Sequence, residues 1–255
     1  MAPDGQLNLA QTALAATLAL VPTQGQQIDL SEVLAPPPTA DYSPVKESTT
    51  LDGAFDSQRY AGWLAATASG GSLLASEFDS AGFKRGYARS WVATSPNKPQ
   101  EGFSRRNYLI ETVEEYSNDV AAQWRFNGVV NFTRGADGGL VREIDTTSVA
   151  GSYGAVADES YYYFVMFARG NDVYIVRMES SVDDMTTAIV SQAQKQFFLA
   201  PPFTIPPAQW TTAQPGSTPT ASAFLPVSAA IIALGITAAV TGLVIVLVRL
   251  RRKPS

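Results

Sequence analysis

Residues 224–248, opening on Phe224 and closing on Val248, run for 25 positions without a charged side chain. At ~1.5 Å rise per residue, a helix of that length measures roughly 37 Å, enough to cross a hydrocarbon core of about 30 Å with some tilt. A helix buried in a globular core seldom runs so long, and it has no use for the basic cluster that follows here: Arg249, Arg251, Arg252 and Lys253. The segment therefore predicts a single transmembrane helix near the C-terminus. Pro226 falls in its first turn, where a missing N–H costs little.

The basic cluster sets the expected orientation. Short cytoplasmic flanks are enriched in Lys and Arg, and the opposite flank carries no charge back to Lys195. The expectation is a plasma-membrane protein with its C-terminus in the cytoplasm and the bulk of the chain outside. The four charges also attract anionic head groups, by about 1 kcal/mol each. Gly235 and Gly242 are seven apart and share one helix face, and Ala238 with Gly242 forms a small-xxx-small pair. Close helix–helix approach, and hence a homodimer through this face, is open to the chain.

A domain outside the membrane needs an export signal. Residues 7–21 are moderately apolar, but Asp4 precedes them, Gln11 interrupts them, and no Lys or Arg comes before. This fits a signal peptide poorly. Three readings stay open: a degenerate or truncated signal, an amphipathic helix of the mature domain, or export that depends on the C-terminal helix alone.

Charge and missing residue types exclude several functions. Four of the 18 basic residues lie in the last seven positions, after the last acidic residue, which leaves 14 basic against 23 acidic residues and a net charge of −9 for the rest. A domain so acidic lacks the footprint of a nucleic-acid binder, and no nucleic-acid partner is expected. The chain has no cysteine and no histidine. Disulfides, thiolate nucleophiles and Cys-ligated zinc are ruled out, and so are the commonest general base and metal ligand. No catalytic, cofactor-binding or metal-binding residue is assigned, and no cofactor is expected.

The remaining organisation reads as follows: residues 1–46, an N-terminal apolar segment and a Pro-rich lead-in; 47–199, an α+β domain; 200–223, a Pro/Thr-rich stalk; 224–248, the membrane helix; 249–255, the basic tail. Within the domain, Asp56 opens a helix with Tyr60, Trp63, Leu64 and Thr67 at i, i+3, i+4 and i+7, ended by the Gly-rich 68–72. Residues 83–92 and 107–113 have strand composition. Ser117 or Asn118 caps a helix on which Val120, Ala121 and Trp124 share a face. A short strand is expected near 141–144. Residues 160–169 and 173–178, joined by Gly170, Asn171 and Asp172, form a β-hairpin whose continuous apolar runs suit central strands. Residues 181–184 resemble a capping box before a helix bearing Met185, Ile189, Ala193 and Phe197. This order predicts an antiparallel sheet flanked by helices.

No motif completes a catalytic set. Ala150 to Gly154 has the form of a nucleophile elbow around Ser152, but a triad needs a histidine. Its glycines fit a turn or bulge instead. Ser43 with Lys46 and Ser95 with Lys98 match Ser-x-x-Lys by chance, since Pro follows each Ser and no Lys-Thr-Gly accompanies them. Glu111, Glu114 and Glu115, like Asp158 and Glu159, could feed a two-carboxylate site, although surface acids are the default. Trp63, Trp91 and Trp124 with Tyr161, Tyr162 and Tyr163 are core candidates first and a ligand-binding face second. Asn131 to Thr133 is a glycosylation sequon, meaningful only in a eukaryotic secretory host.

The succession of residues 82–91, 111–124 and 167–178 followed by an amphipathic helix resembles actinobacterial cell-envelope proteins, including lipoproteins of the LpqN type, whose fold is similar to PsbP. The resemblance spans roughly residues 50–199. It lacks the lipobox cysteine, which the membrane helix replaces. It implies an antiparallel sheet flanked by helices and a non-catalytic binding role in the envelope, and it transfers no functional residue. The expected function is thus a membrane-anchored extracytoplasmic domain that binds an envelope protein, a lipid or a cell-wall component. The alternatives are a carboxylate-dependent envelope enzyme acting on glycans and an accessory subunit of a membrane complex.

Overall fold

The hairpin expected around Gly170, Asn171 and Asp172 lies at the centre of the sheet. In the computed structural model, which describes residues 27–45, 50–65, 71–97, 105–135, 139–157 and 162–211, strands β7 (Tyr162–Arg169) and β8 (Asp172–Glu179) pair antiparallel with Arg169 opposite Asp172. The other strands are β1 (Ser43–Pro44), β2 (Gly53–Phe55), β3 (Phe83–Thr94), β4 (Arg106–Tyr116), β5 (Leu140–Glu143) and β6 (Ser152–Ala157). The sheet runs β1-β3-β4-β8-β7-β6-β5, with β2 also on the outer edge of β3. Every pairing is antiparallel. The predicted antiparallel sheet flanked by helices is what forms.

Both faces of the sheet are covered, which is why its central strands read as continuous apolar runs. Side chains alternate along a strand. On β7, Phe164 and Met166 join one core cluster, and Tyr163, Val165 and Phe167 join the other. The first cluster also takes Tyr60 of α1 (Ser57–Ala65), Phe78 of α2 (Gly71–Ser80), and Ala121, Ala122 and Val130 of α3 (Asp119–Arg134). The second takes Ile189 and Ala193 of α4 (Thr186–Leu199), together with Ile28, Leu30, Val33 and Leu34. Gly86 permits one close approach: a Cβ there would run into the ring of Phe55.

Several local expectations are revised. Helix α2 starts at Gly71, inside the stretch expected to end a helix. Residues 27–45, expected as an extended lead-in, pack against the sheet. Two glutamines one turn apart on α4 bind that backbone: Gln196 accepts from Ala35 N and donates to Val33 O, both at 2.7 Å, and Gln192 donates to Pro36 O at 2.8 Å. Their amides match backbone donors and acceptors, so they are buried without leaving a polar group stranded. The expected capping box does not form. Met185 holds the N-cap position of α4 without a side-chain bond, and Ser180 Oγ instead accepts from the backbone N–H groups of Val182 and Asp183.

Among the described residues, no helix is long and apolar enough to cross a membrane. The segment 224–248 with Phe224, Gly235, Gly242 and Val248, the tail residues Arg249, Arg251, Arg252 and Lys253, and residues 7–21 lie outside the described residues.

Candidate functional site

Asn118 starts α3 and also fixes the end of the described chain. Its side-chain oxygen accepts from Ala121 N at 2.8 Å, as an N-cap should. Its amide nitrogen donates to Thr211 O at 2.7 Å. Thr211 N donates to Ser117 O at 3.3 Å. Residues 200–211, expected as the start of a stalk, thus fold back as a strap onto the β7–β8 turn and the start of α3.

The strap is held by buried polar groups. Asn171 Oδ1 accepts from the backbone N–H of Thr204 at 3.0 Å and of Ile205 at 3.2 Å. Its amide nitrogen donates to Tyr116 O and to Thr204 Oγ1, both at 3.1 Å. Thr204 Oγ1 donates in turn to Asp172 Oδ1 at 2.6 Å. Gly170 (φ 57°) makes room, since a Cβ there would strike the carbonyl of Pro202. A single 3₁₀ turn at Pro207–Gln209 then presents Trp210, whose indole N–H donates to Ile205 O at 2.8 Å.

Between the strap and α3 lies an open groove of about 600 Å³. One wall is the outer face of α3, where Asp119, Val120, Gln123, Trp124 and Asn127 recur at helical spacing. Ala168 and Gly170 of the hairpin and Trp210 of the strap also line it. Val120 is 70 % exposed, and both indoles are half-buried. Gln123 Nε2 donates to Asn127 Oδ1 at 3.1 Å, so the two amides sit as a pair. The face expected from Val120, Ala121 and Trp124 is corrected here. Ala121, Ala122 and Arg125 point inward, while Val120 and Trp124 line the groove.

The other aromatic candidates divide differently. Trp91 and Tyr163 are buried in the second core cluster, and Trp63 and Tyr162 pack against the first. Arg177 lies over both Trp63 and Tyr162, at 5.9 and 4.5 Å from the ring centroids. Tyr161 is outside the described residues. Trp210 was missed altogether, because a Pro-rich, charge-free segment gives no sign of folding back.

The acidic candidates are not on the surface. Glu111, Glu114 and Glu115 on β4 are each 0 % exposed. Burial alone would raise Glu114, but the Arg125 charge, the bonds from Arg125 and those from Tyr60 and Tyr116 outweigh it and hold the carboxyl below its usual range. Arg125 grips it through two nitrogens at 2.9 and 3.1 Å, and each tyrosine donates at 2.7 Å. Glu115 pairs with Arg85 through two bonds of 2.9 Å. Asp172 faces Glu115 across the β4–β8 pair and is also 0 % exposed. Burial raises its carboxyl well above the ordinary range. Glu111 accepts from Gln192 at 2.6 Å, and burial pushes it up to about 8. None of these carboxyls lines the groove. Asp158 and Glu159 lie outside the described residues.

Ser152 opens β6 and donates to Val149 O at 2.7 Å within a turn containing Gly151 (φ 66°). It is a turn residue, as its neighbouring glycines suggested. Asn131 of the sequon is exposed on α3.

No family model matches the chain, and no curated protein matches it. Among solved structures the fold is similar to the extracellular domain of PknH from Mycobacterium tuberculosis, at 10% sequence identity over 68% of this chain and 97% of that one, with a TM-score of 0.35. At that score the likeness is one of broad outline, and no residue role is taken from it.

Proposed function

We propose that the chain is a membrane-tethered binding module of the cell envelope, with its folded body outside the plasma membrane and the groove between Trp124 and Trp210 as its ligand site. The observation that carries this reading is the groove itself: two half-buried indoles and an exposed valine line it together with a pair of bonded amides. Aromatic rings with a few convergent polar groups are the usual makings of a binding site.

The tether is the other support. The strap that contributes Trp210 leads, across the twelve residues that follow Thr211, into the uncharged segment at 224–248. Twelve extended residues span at most about 40 Å. A helix there would hold the groove near the bilayer, with Arg249, Arg251, Arg252 and Lys253 keeping the C-terminus cytoplasmic. Pairing of such helices through Gly235 and Gly242 would bring two grooves together. The binding reading is preferred to a carboxylate enzyme because Glu111, Glu114, Glu115 and Asp172 are sealed from solvent, whereas the groove is open.

The test is site-specific photo-crosslinking in intact cells that express the full 255-residue chain. A photoreactive side chain at position 120 is expected to give a discrete adduct that disappears with Trp210→Ala. The same group at position 141, an exposed apolar site on β5, should not give it. Loss of specificity between the two positions, or no adduct from position 120, overturns the reading.

A further inference from the structure

We propose that the groove takes a neutral glycan strand. This rests on the binding reading above and names its ligand class.

The lining favours sugar in three ways. First, Trp124 and Trp210 come from different elements and both line the groove. A pyranose ring has one face of C–H groups and a rim of hydroxyls, so it can lay its apolar face on an indole while its rim stays polar. Indoles are suited to such half-apolar contact. Second, the rim needs groups that donate and accept side by side. The bond from Gln123 Nε2 to Asn127 Oδ1 leaves the Gln123 carbonyl as an acceptor and the Asn127 amino group as a donor. Neighbouring hydroxyls on a sugar both donate and accept, and they complement that pair.

Third, the charge selects against ionised ligands of the wrong sign. Asp119 is the one ionised side chain among the lining residues, and no Lys or Arg is there. It also sits in the first turn of α3. There a carboxylate already answers the positive end of the helix dipole, so an added phosphate or sulfate would meet like charge. The nearby Arg169 is committed elsewhere: its guanidinium donates to Phe197 O at 2.5 Å and lies 5.0 Å from the centre of that ring. A small quaternary ammonium would satisfy the indoles and Asp119 but would leave the paired amides unused. A cavity of about 600 Å³ is also far larger than such a head group. It falls in the range of ~300–1,000 Å³ that holds an oligomeric or drug-sized ligand.

The site is completed by the strap. Trp210 reaches the groove only because Asn171, Thr204 and Asn118 dock the strap. Sugar binding and strap docking should therefore reinforce one another.

The test titrates the full-length chain in detergent micelles with cellotetraose, chitotetraose, choline and inorganic phosphate, and follows indole emission and heat. At least one neutral tetrasaccharide is expected to saturate with a Kd of about 0.01–1 mM. Trp210→Ala should weaken it at least tenfold and Trp210→Phe less. Gln123→Ala, on an exposed helix face where folding is not at stake, should weaken it about three- to tenfold. Trp63→Phe, outside the groove, should leave it unchanged. Saturation by choline or phosphate in place of sugar overturns the proposal. So does binding that ignores Trp210 and Gln123, or a Kd weaker than ~10 mM for both tetrasaccharides. An adduct at position 120 that persists when the sugars fail removes the glycan class alone. The loss of that adduct removes the binding reading beneath it.

Discussion

Glu111 sits on a central strand, sealed between the sheet and α4, with one oxygen bonded by Gln192 and the other without a partner. Burial lifts its proton affinity from an ordinary 4.5 to about 8. Below pH 4.5 folded and unfolded chains both hold the proton. Between the two values only the folded chain does, so stability falls as pH rises and levels off above pH 8. The slope approaches ~1.4 kcal/mol per pH unit for a single such group. Glu111→Gln removes this proton. The expected outcome is a shallower loss of stability from pH 5 to 8 and a gain on the order of 2 kcal/mol at pH 8, read by urea unfolding across that range. Asp172 leaves a residual slope of the same sign, because burial raises it too. Glu114 behaves oppositely, held ionised by Arg125 and two tyrosines. Three acids within five positions of one strand thus have three different environments. Their letters read as surface acids, and only the covering layers reverse that.

Helix α3 and the strap are where element-scale packing makes the candidate site. The inward face of α3 carries Ala121, Ala122 and Arg125, while its outward face carries Val120, Gln123, Trp124 and Asn127. A hydrophobic count alone puts Val120 and Trp124 inward, because it ranks a buried arginine as impossible. Arg125 is admitted to the core by Glu114, and that pairing rotates the helix assignment. On the strap, Gly170 is the residue that leaves no substitute. Its positive φ disfavours any side chain, and a Cβ would meet the Pro202 carbonyl. Gly170→Ala is expected to cost at least ~1 kcal/mol. It should also undock residues 200–211, seen as a red shift of Trp210 emission and faster amide exchange at Thr204 and Ile205. Unchanged exchange at those two amides would show that the strap is held by other means.

At the scale of the whole molecule, the chain leaves the described fold at Thr211, against Ser117 and Asn118. The groove and the exposed Val120 therefore sit beside the point where the described chain ends. An anchor and a ligand site at this end would leave the opposite strand ends, where Thr94 pairs with Arg106, pointing away from the bilayer. Protease added to intact cells is expected to remove the folded body and spare a C-terminally tagged fragment of the membrane segment. Full protection of the chain would reverse the proposed orientation.

Sequence by itself determined the features that depend on neighbours in the chain. These are the 3.6- and 2-residue periodicities, the Gly170-Asn171 turn, the Asn118 cap, the long uncharged segment and its basic end. They gave the antiparallel sheet flanked by helices, because local periodicity and turn chemistry persist in any tertiary setting. Tertiary structure decided what depends on partners far away in the chain. Residues 27–45 pack against α4 because two glutamines bind their backbone, and residues 200–211 pack against the hairpin because Asn171 does. Irregular, proline-rich backbone has no period of its own, so its place is set by which distant side chains satisfy its N–H and C=O groups. The groove exists for that reason: half of it was written on α3, and Trp210 joined it only through the fold.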